Sequence, residues 1–150
     1  MKKLLFILLF VVSFSGVSQI KKVTPVNFET IGRLGPKNNP HILIEKKDST
    51  YIFTYSDLKF THIDDFKTFQ FDDLNNDFEA LYSMMLSGLE NPPEEDVMIE
   101  LPGSFIWLNY TKAMGVANVR IIHKNKATGI EGYTVWMTKR RLNKLFGKKD

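Results

Sequence analysis

Asp73-Leu74-Asn75-Asn76-Asp77 carries the D-x-N-x-D opening of a calcium loop. Calcium takes several oxygens from one tight loop, with Gly at the sixth position and a bidentate Glu at the twelfth. Here those positions are Phe78 and Met84, so the ligand set is broken. A helix start, with acids complementing the dipole, accounts for the same residues. Glu94-Glu95-Asp96 is a second acidic cluster, beside Pro92-Pro93. Paired carboxylates do acid/base work only where a pocket separates their pKa values, and a Pro-rich turn offers none. His41, His62 and His123 fall in no H-x-x-x-H or H-E-x-x-H arrangement, so the spacing gives no metal site. The reading that would turn them catalytic is an approach to Asp64, Asp65 or Glu131 in one cleft. Gly103-Ser104 lacks the G-x-S-x-G elbow, and Gly32 to Lys37 lacks the glycine spacing and Lys-Ser/Thr ending of a phosphate loop. No catalytic motif and no cofactor is indicated.

Two candidate binding features remain. Lys139, Arg140, Arg141 and Lys144 form a basic C-terminal segment, a candidate surface for a charged partner. Phe53, Tyr55, Phe69, Phe71, Phe105, Trp107 and Trp136 lie in predicted strands and are candidate lining for a small apolar ligand held between sheet and helix.

The elements that must position these groups follow from periodicity. Phe78, Leu81, Tyr82, Met85, Leu86 and Leu89 form one apolar stripe, which predicts a helix over Asp77 to Leu89. Asn76 and Glu79 suit a capping box at its start, and Asn91-Pro92-Pro93 ends it. Before the helix, Val26 to Ile31 reads as a strand and Gly32 to Pro40 as a loop. Ile42 to Glu45 and Tyr51 to Tyr55 read as a hairpin about Asp48-Ser49, with Ile44 facing Phe53 and Ile42 facing Tyr55. Phe66 to Phe71 is a further strand. After the helix come Val97 to Leu101, Phe105 to Tyr110, Val116 to His123 and Ile130 to Met137. Thr138 then caps a short helix, Lys139 to Phe146, stopped by Gly147. No internal sequence repeat is visible. The expected fold class is α+β: an N-terminal hairpin, then β-α-β-β-β-β-α, an antiparallel sheet with one main helix and a short C-terminal helix packed on it. The element order of the later part resembles that of TATA-binding-protein-like or helix-grip domains, which implies a curved antiparallel sheet with helices against one face.

The N-terminus sets the compartment. Met1-Lys2-Lys3, the nine apolar residues Leu4 to Val12, and the small-residue stretch Ser13 to Ser18 have the three-part layout of a cleaved secretory signal. Gly16 and Ser18 sit at −3 and −1 of a cut before Gln19. The apolar run is too short for a spanning helix, which needs roughly 20 residues. The expectation is an exported protein, periplasmic or extracellular, with residues 19–150 as a single domain and no transmembrane segment. The chain has no Cys, so neither a lipidated Cys nor a disulfide framework is expected. With Lys2 and Lys3 removed, 18 Lys+Arg stand against 17 Asp+Glu, a net of +1. Nucleic acid is therefore not an expected partner. The charge is unevenly spread: residues 57–100 carry two basic and twelve acidic groups, and residues 101–150 ten basic and two acidic. The resulting expectation is a non-enzymatic binding or interaction module of the cell envelope with a polarised charge surface. Its partner is an envelope protein; the alternative is a carrier of a small apolar ligand.

Overall fold

A computed structural model describes residues 27–59 and 65–149. The signal segment, Val26, His62 and Asp64 lie outside the described residues. The elements run β1 (Glu29–Leu34), β2 (Ile42–Lys47), β3 (Thr50–Ser56), β4 (Phe66–Asp72), α1 (Asp77–Glu90), β5 (Val97–Leu101), β6 (Ser104–Ala113), β7 (Val116–Asn125), β8 (Glu131–Tyr133) and α2 (Lys139–Leu145). The fold is α+β, as the periodicity indicates. The single curved sheet implied by the element order is instead two antiparallel four-stranded meanders, β1-β2-β3-β4 and β5-β6-β7-β8.

The hairpin register is the expected one, with Ile42 opposite Tyr55 and Ile44 opposite Phe53. Alternation then puts Ile42, Ile44, Tyr51, Phe53, Tyr55, Phe69 and Phe71 on one buried face. The second sheet turns Ile106, Leu108, Val119 and Ile121 inward, in phase with Ser104 and His123. The two inner faces touch where Phe69 meets His123, ring centroids 5.2 Å apart. Further along, Phe78 of α1 stacks on Tyr51 at 3.9 Å, and Phe146 stands edge-on to Phe53. These rings belong to one continuous core. At about 1.5–3 kcal/mol per buried large side chain, such a core needs no covalent staple.

Three expectations shift. β1 runs through Gly32 to Leu34 instead of stopping at Ile31. Leu34 is buried against the core. A Cβ on Gly32 would lie 2.2 Å from the Leu145 carbonyl oxygen, so glycine here admits the end of α2 and does not signal a loop. β8 ends at Tyr133 because the Thr134 hydroxyl accepts from the Ile121 N–H at 3.0 Å, displacing a ladder bond. The Thr134 N–H still donates to the Ile121 carbonyl at 2.9 Å, and the next bridge is Val119–Met137. Finally, Asn76 does not cap α1. It sits at φ 64°, ψ 35°, with no side-chain cap bond. The Asp73 carboxylate accepts from Phe78 N–H instead, at 3.3 Å. Asp77 accepts from the N–H groups of Leu74 and Asn75. Glu79, the expected partner in the capping box, pairs with Lys148. α2 is capped by Thr138 as expected.

Candidate functional site: a trough along the edge of β4

Among the described residues β4 pairs with β3 alone, and its other edge carries no further strand. Three cavities follow one another along that edge, and adjacent ones share walls. The first, 340 Å³, lies between α1 and β5–β6 and is lined by Phe71, Leu74, Leu81, Met84, Ile99, Leu101 and Ile106, with Asp72, Asp77 and Glu100 also in its wall. The middle one, 250 Å³, shares Phe71, Asp72 and Pro102 with the first. It faces Thr68 and Gln70 of β4 across to Gly103, Ser104 and Asn125. The far one, 520 Å³, shares Thr68 and Asn125 with the middle one and adds Asp65, Lys67, His123, Thr128 and Ile130.

The apolar end exists because α1 carries apolar residues beyond its core stripe. Leu81 and Met85 are buried, whereas Met84 is 40% exposed and Leu74, just before the helix, 77%. Glu100 is paired with Lys126 at 2.6 Å, and Thr50 donates to Asp72. The two aspartates leave this end negative.

The far end rests on a buried polar seam between the sheets. His123 Nδ1 lies 3.0 Å from the Tyr55 hydroxyl, and its Nε2 lies 2.9 Å from Ser104 Oγ. Burial, aided by the nearby Lys67 charge, lowers the His123 pKa and favours the neutral ring. Burial raises the Tyr55 hydroxyl pKa, with the Asp57 and Asp65 charges adding to it. Asp57 is fully covered and paired with Lys67. Burial alone would raise its pKa. The hydrogen bond from Lys67, those from the Lys59 and Tyr133 N–H groups, and the Lys67 charge together hold it below the ordinary carboxylate value. Lys67 also donates to the Glu131 carbonyl at 2.9 Å. Gly132 makes this convergence possible. A Cβ there would come within 2.8 Å of Lys67 Cδ, Asp57 Oδ2 and the Tyr55 hydroxyl.

The aromatic set expected to line one pocket is divided. Phe53 and Tyr55 are sealed in the core. Phe69 and Phe71 are core residues that also border the trough. Phe105 and Trp107 point to the opposite face of the second sheet from Ile106 and Leu108. Trp136 lies on that outer side too, with the Arg120 guanidinium 4.5 Å above its ring. Of the basic segment, Lys139 pairs with Glu90 at 3.1 Å, and Arg141 donates to the Trp136 carbonyl at 2.8 Å. Arg140 and Lys144 are exposed. The Lys139–Glu90 and Lys148–Glu79 pairs tie the basic tail to the acidic helix. His41 is exposed. His123 shares the far cavity with Asp65 but is bonded to Tyr55 and Ser104. Among the described residues, no three acidic or histidine side chains gather to hold a metal ion, and no helix is long and apolar enough to cross a membrane.

Thr68, Gln70, Met84, Ile99 and Leu101 were not singled out as site residues from the sequence. One signal for them was present: Met84 and Leu74 are apolar residues that fall off the α1 stripe. Comparison with protein-family models, curated proteins and solved structures finds no match to this chain.

Proposed function

We propose that this chain is an exported, non-enzymatic binding module of the cell envelope, and that its binding site is the trough along β4. The observation that supports this reading is the continuity of the three cavities on one strand edge, apolar at one end and polar along the rest. Ligand sites combine an apolar lining with a few placed polar groups, and this trough has both. The aspartates at the apolar end favour a partner that carries positive charge beside an apolar group. Such a complex weakens with salt, because exposed charges are screened.

The apolar end can be tested with a neutral apolar dye such as Nile red. Wild-type protein should bind the dye, and Met84→Glu should weaken binding by about tenfold or more, since a carboxylate would then have to be desolvated. Met84 is exposed enough for the variant to fold. Equal binding by both proteins would overturn the assignment of the site.

A second reading, a carrier of a small apolar ligand, is favoured by the 340 Å³ apolar cavity taken alone. Native mass spectrometry separates the two. A small mass that co-purifies with wild type and is missing from Met84→Glu supports the carrier.

A further inference from the structure

The backbone of β4 narrows the occupant, on the premise that the trough is the binding site. Asp57 N–H donates to the Asp65 carbonyl and Asp73 N–H to the Ser49 carbonyl, both at 2.8 Å. Bonded pairs alternate along an antiparallel ladder. Carried through the β3–β4 register, this makes Tyr51–Phe71, Phe53–Phe69 and Tyr55–Lys67 the bonded pairs. Phe66, Thr68, Gln70 and Asp72 therefore direct their N–H and C=O groups away from β3. Asp72 uses its carbonyl on Leu74 N–H. The N–H and C=O groups of Thr68 and Gln70, and the N–H of Asp72, face the middle cavity. They repeat every second residue, roughly 6.8 Å apart, which is the repeat of another extended chain.

We infer that the trough binds an extended polypeptide segment, which adds to the β4 edge as a further strand. In strand addition, main-chain hydrogen bonds give affinity, and pockets for alternate side chains give specificity. Here the specificity pocket is the apolar cavity against Phe71, Leu81 and Ile99. The partner segment places an apolar side chain in it and a basic one beside Asp72 and Asp77. An exposed edge is ordinarily blunted or covered because it recruits strands. β4 instead stands in a walled cleft, which admits a segment and limits edge-to-edge stacking of whole sheets.

The test pans a phage-displayed library of short linear peptides against the full exported chain and follows one enriched synthetic peptide. Enriched sequences should alternate apolar and basic residues. On saturation, amide hydrogen exchange at Thr68 and Gln70 should slow by about tenfold or more. Thr68→Pro and Gln70→Pro each remove one outward donor. An edge strand accepts proline at such positions, and peptide affinity should fall by about tenfold or more. Gln70→Ala keeps the donor and should bind within about twofold of wild type. Unchanged exchange at Thr68 and Gln70 under saturating peptide would overturn strand addition, and this measurement needs no proline variant to fold. A library with no enriched peptide would overturn it as well. Met84→Glu separates the two levels. If it abolishes binding while the proline variants do not, the trough stands and strand addition fails. Indifference to all three substitutions removes both.

Discussion

His123 stands between two hydroxyls on the seam that joins the sheets, and its surroundings favour the neutral ring. Protonation would add a charge to a buried site that already holds Lys67. It would also leave only donors on the ring, so both hydroxyls would have to accept. The linkage has a definite sign. The folded-state pKa lies below the unfolded value of 6.5, so the unfolded chain takes up the proton first. Stability from this group is complete above about pH 6.5 and is lost as pH falls through the lower folded value. Asp57 acts in the same direction over a separate, more acidic window, beginning near its unfolded value of 3.8. Urea unfolding of wild type should therefore show stability declining as pH falls below about 6.5. In His123→Gln, which keeps an amide in place of the ring, that decline should flatten. The same slope in both proteins would show that His123 does not carry it. The cluster was illegible in the sequence because its members are far apart. Tyr55 is 68 residues from His123 and Ser104 is 19 away, and no local spacing rule connects them.

At the scale of elements, the start of α1 shows how a residue type can suit a position without taking the role. Asn is a favoured cap, but a cap normally has extended backbone that turns its side chain toward the first amides. Asn76 is left-handed, and Asp73 reaches the Phe78 N–H instead. Asp73→Ala should cost about 1 kcal/mol of stability. Asn76→Gly should be neutral or slightly stabilising, because glycine adopts this φ without strain. Chemical denaturation of the two variants decides the point, and the reverse ranking would restore Asn76 as the cap. The hairpin and the α1 stripe were legible because each depends on contacts close in sequence. Which side of β6 is buried was not. Phe105 and Trp107 are as apolar as Ile106 and Leu108, so alternation separates two faces without saying which one meets the core. The trough failed for the same kind of reason. Its walls are β4, α1, β5 and the ends of β6 and β7, and their proximity follows only from how the two sheets and the helix are set together.

At the scale of the molecule, the described residues form two successive ββββα units with no repeat in their sequences. Their helices are exchanged: α1, which follows the first sheet, packs on β6 and β7, while α2, which follows the second, packs on β1 and β2. Tyr82 of α1 donates to Asn143 of α2 at 2.9 Å, and Phe78 stacks with Phe146 at 4.9 Å. Phe78 of α1 also stacks on Tyr51 of its own sheet, but most of each helix's packing is on the sheet of the other unit. A first sheet without α2 loses the helix packed on β1 and β2, and a second sheet without α1 loses the helix packed on β6 and β7. Burial of roughly 1.5–3 kcal/mol per side chain is then withheld from each half until the other is in place. The expected consequence is a single cooperative unfolding transition. Both tryptophans, Trp107 and Trp136, lie in the second half, so their fluorescence follows that half alone, whereas far-ultraviolet circular dichroism follows both. The two signals should give coincident midpoints in urea. A fragment ending at Pro93 should show the narrow amide dispersion of an unfolded chain. Separated midpoints, or a dispersed spectrum from that fragment, would mean that the first sheet closes a core by itself and that the exchange of helices is not what holds the trough's two walls together.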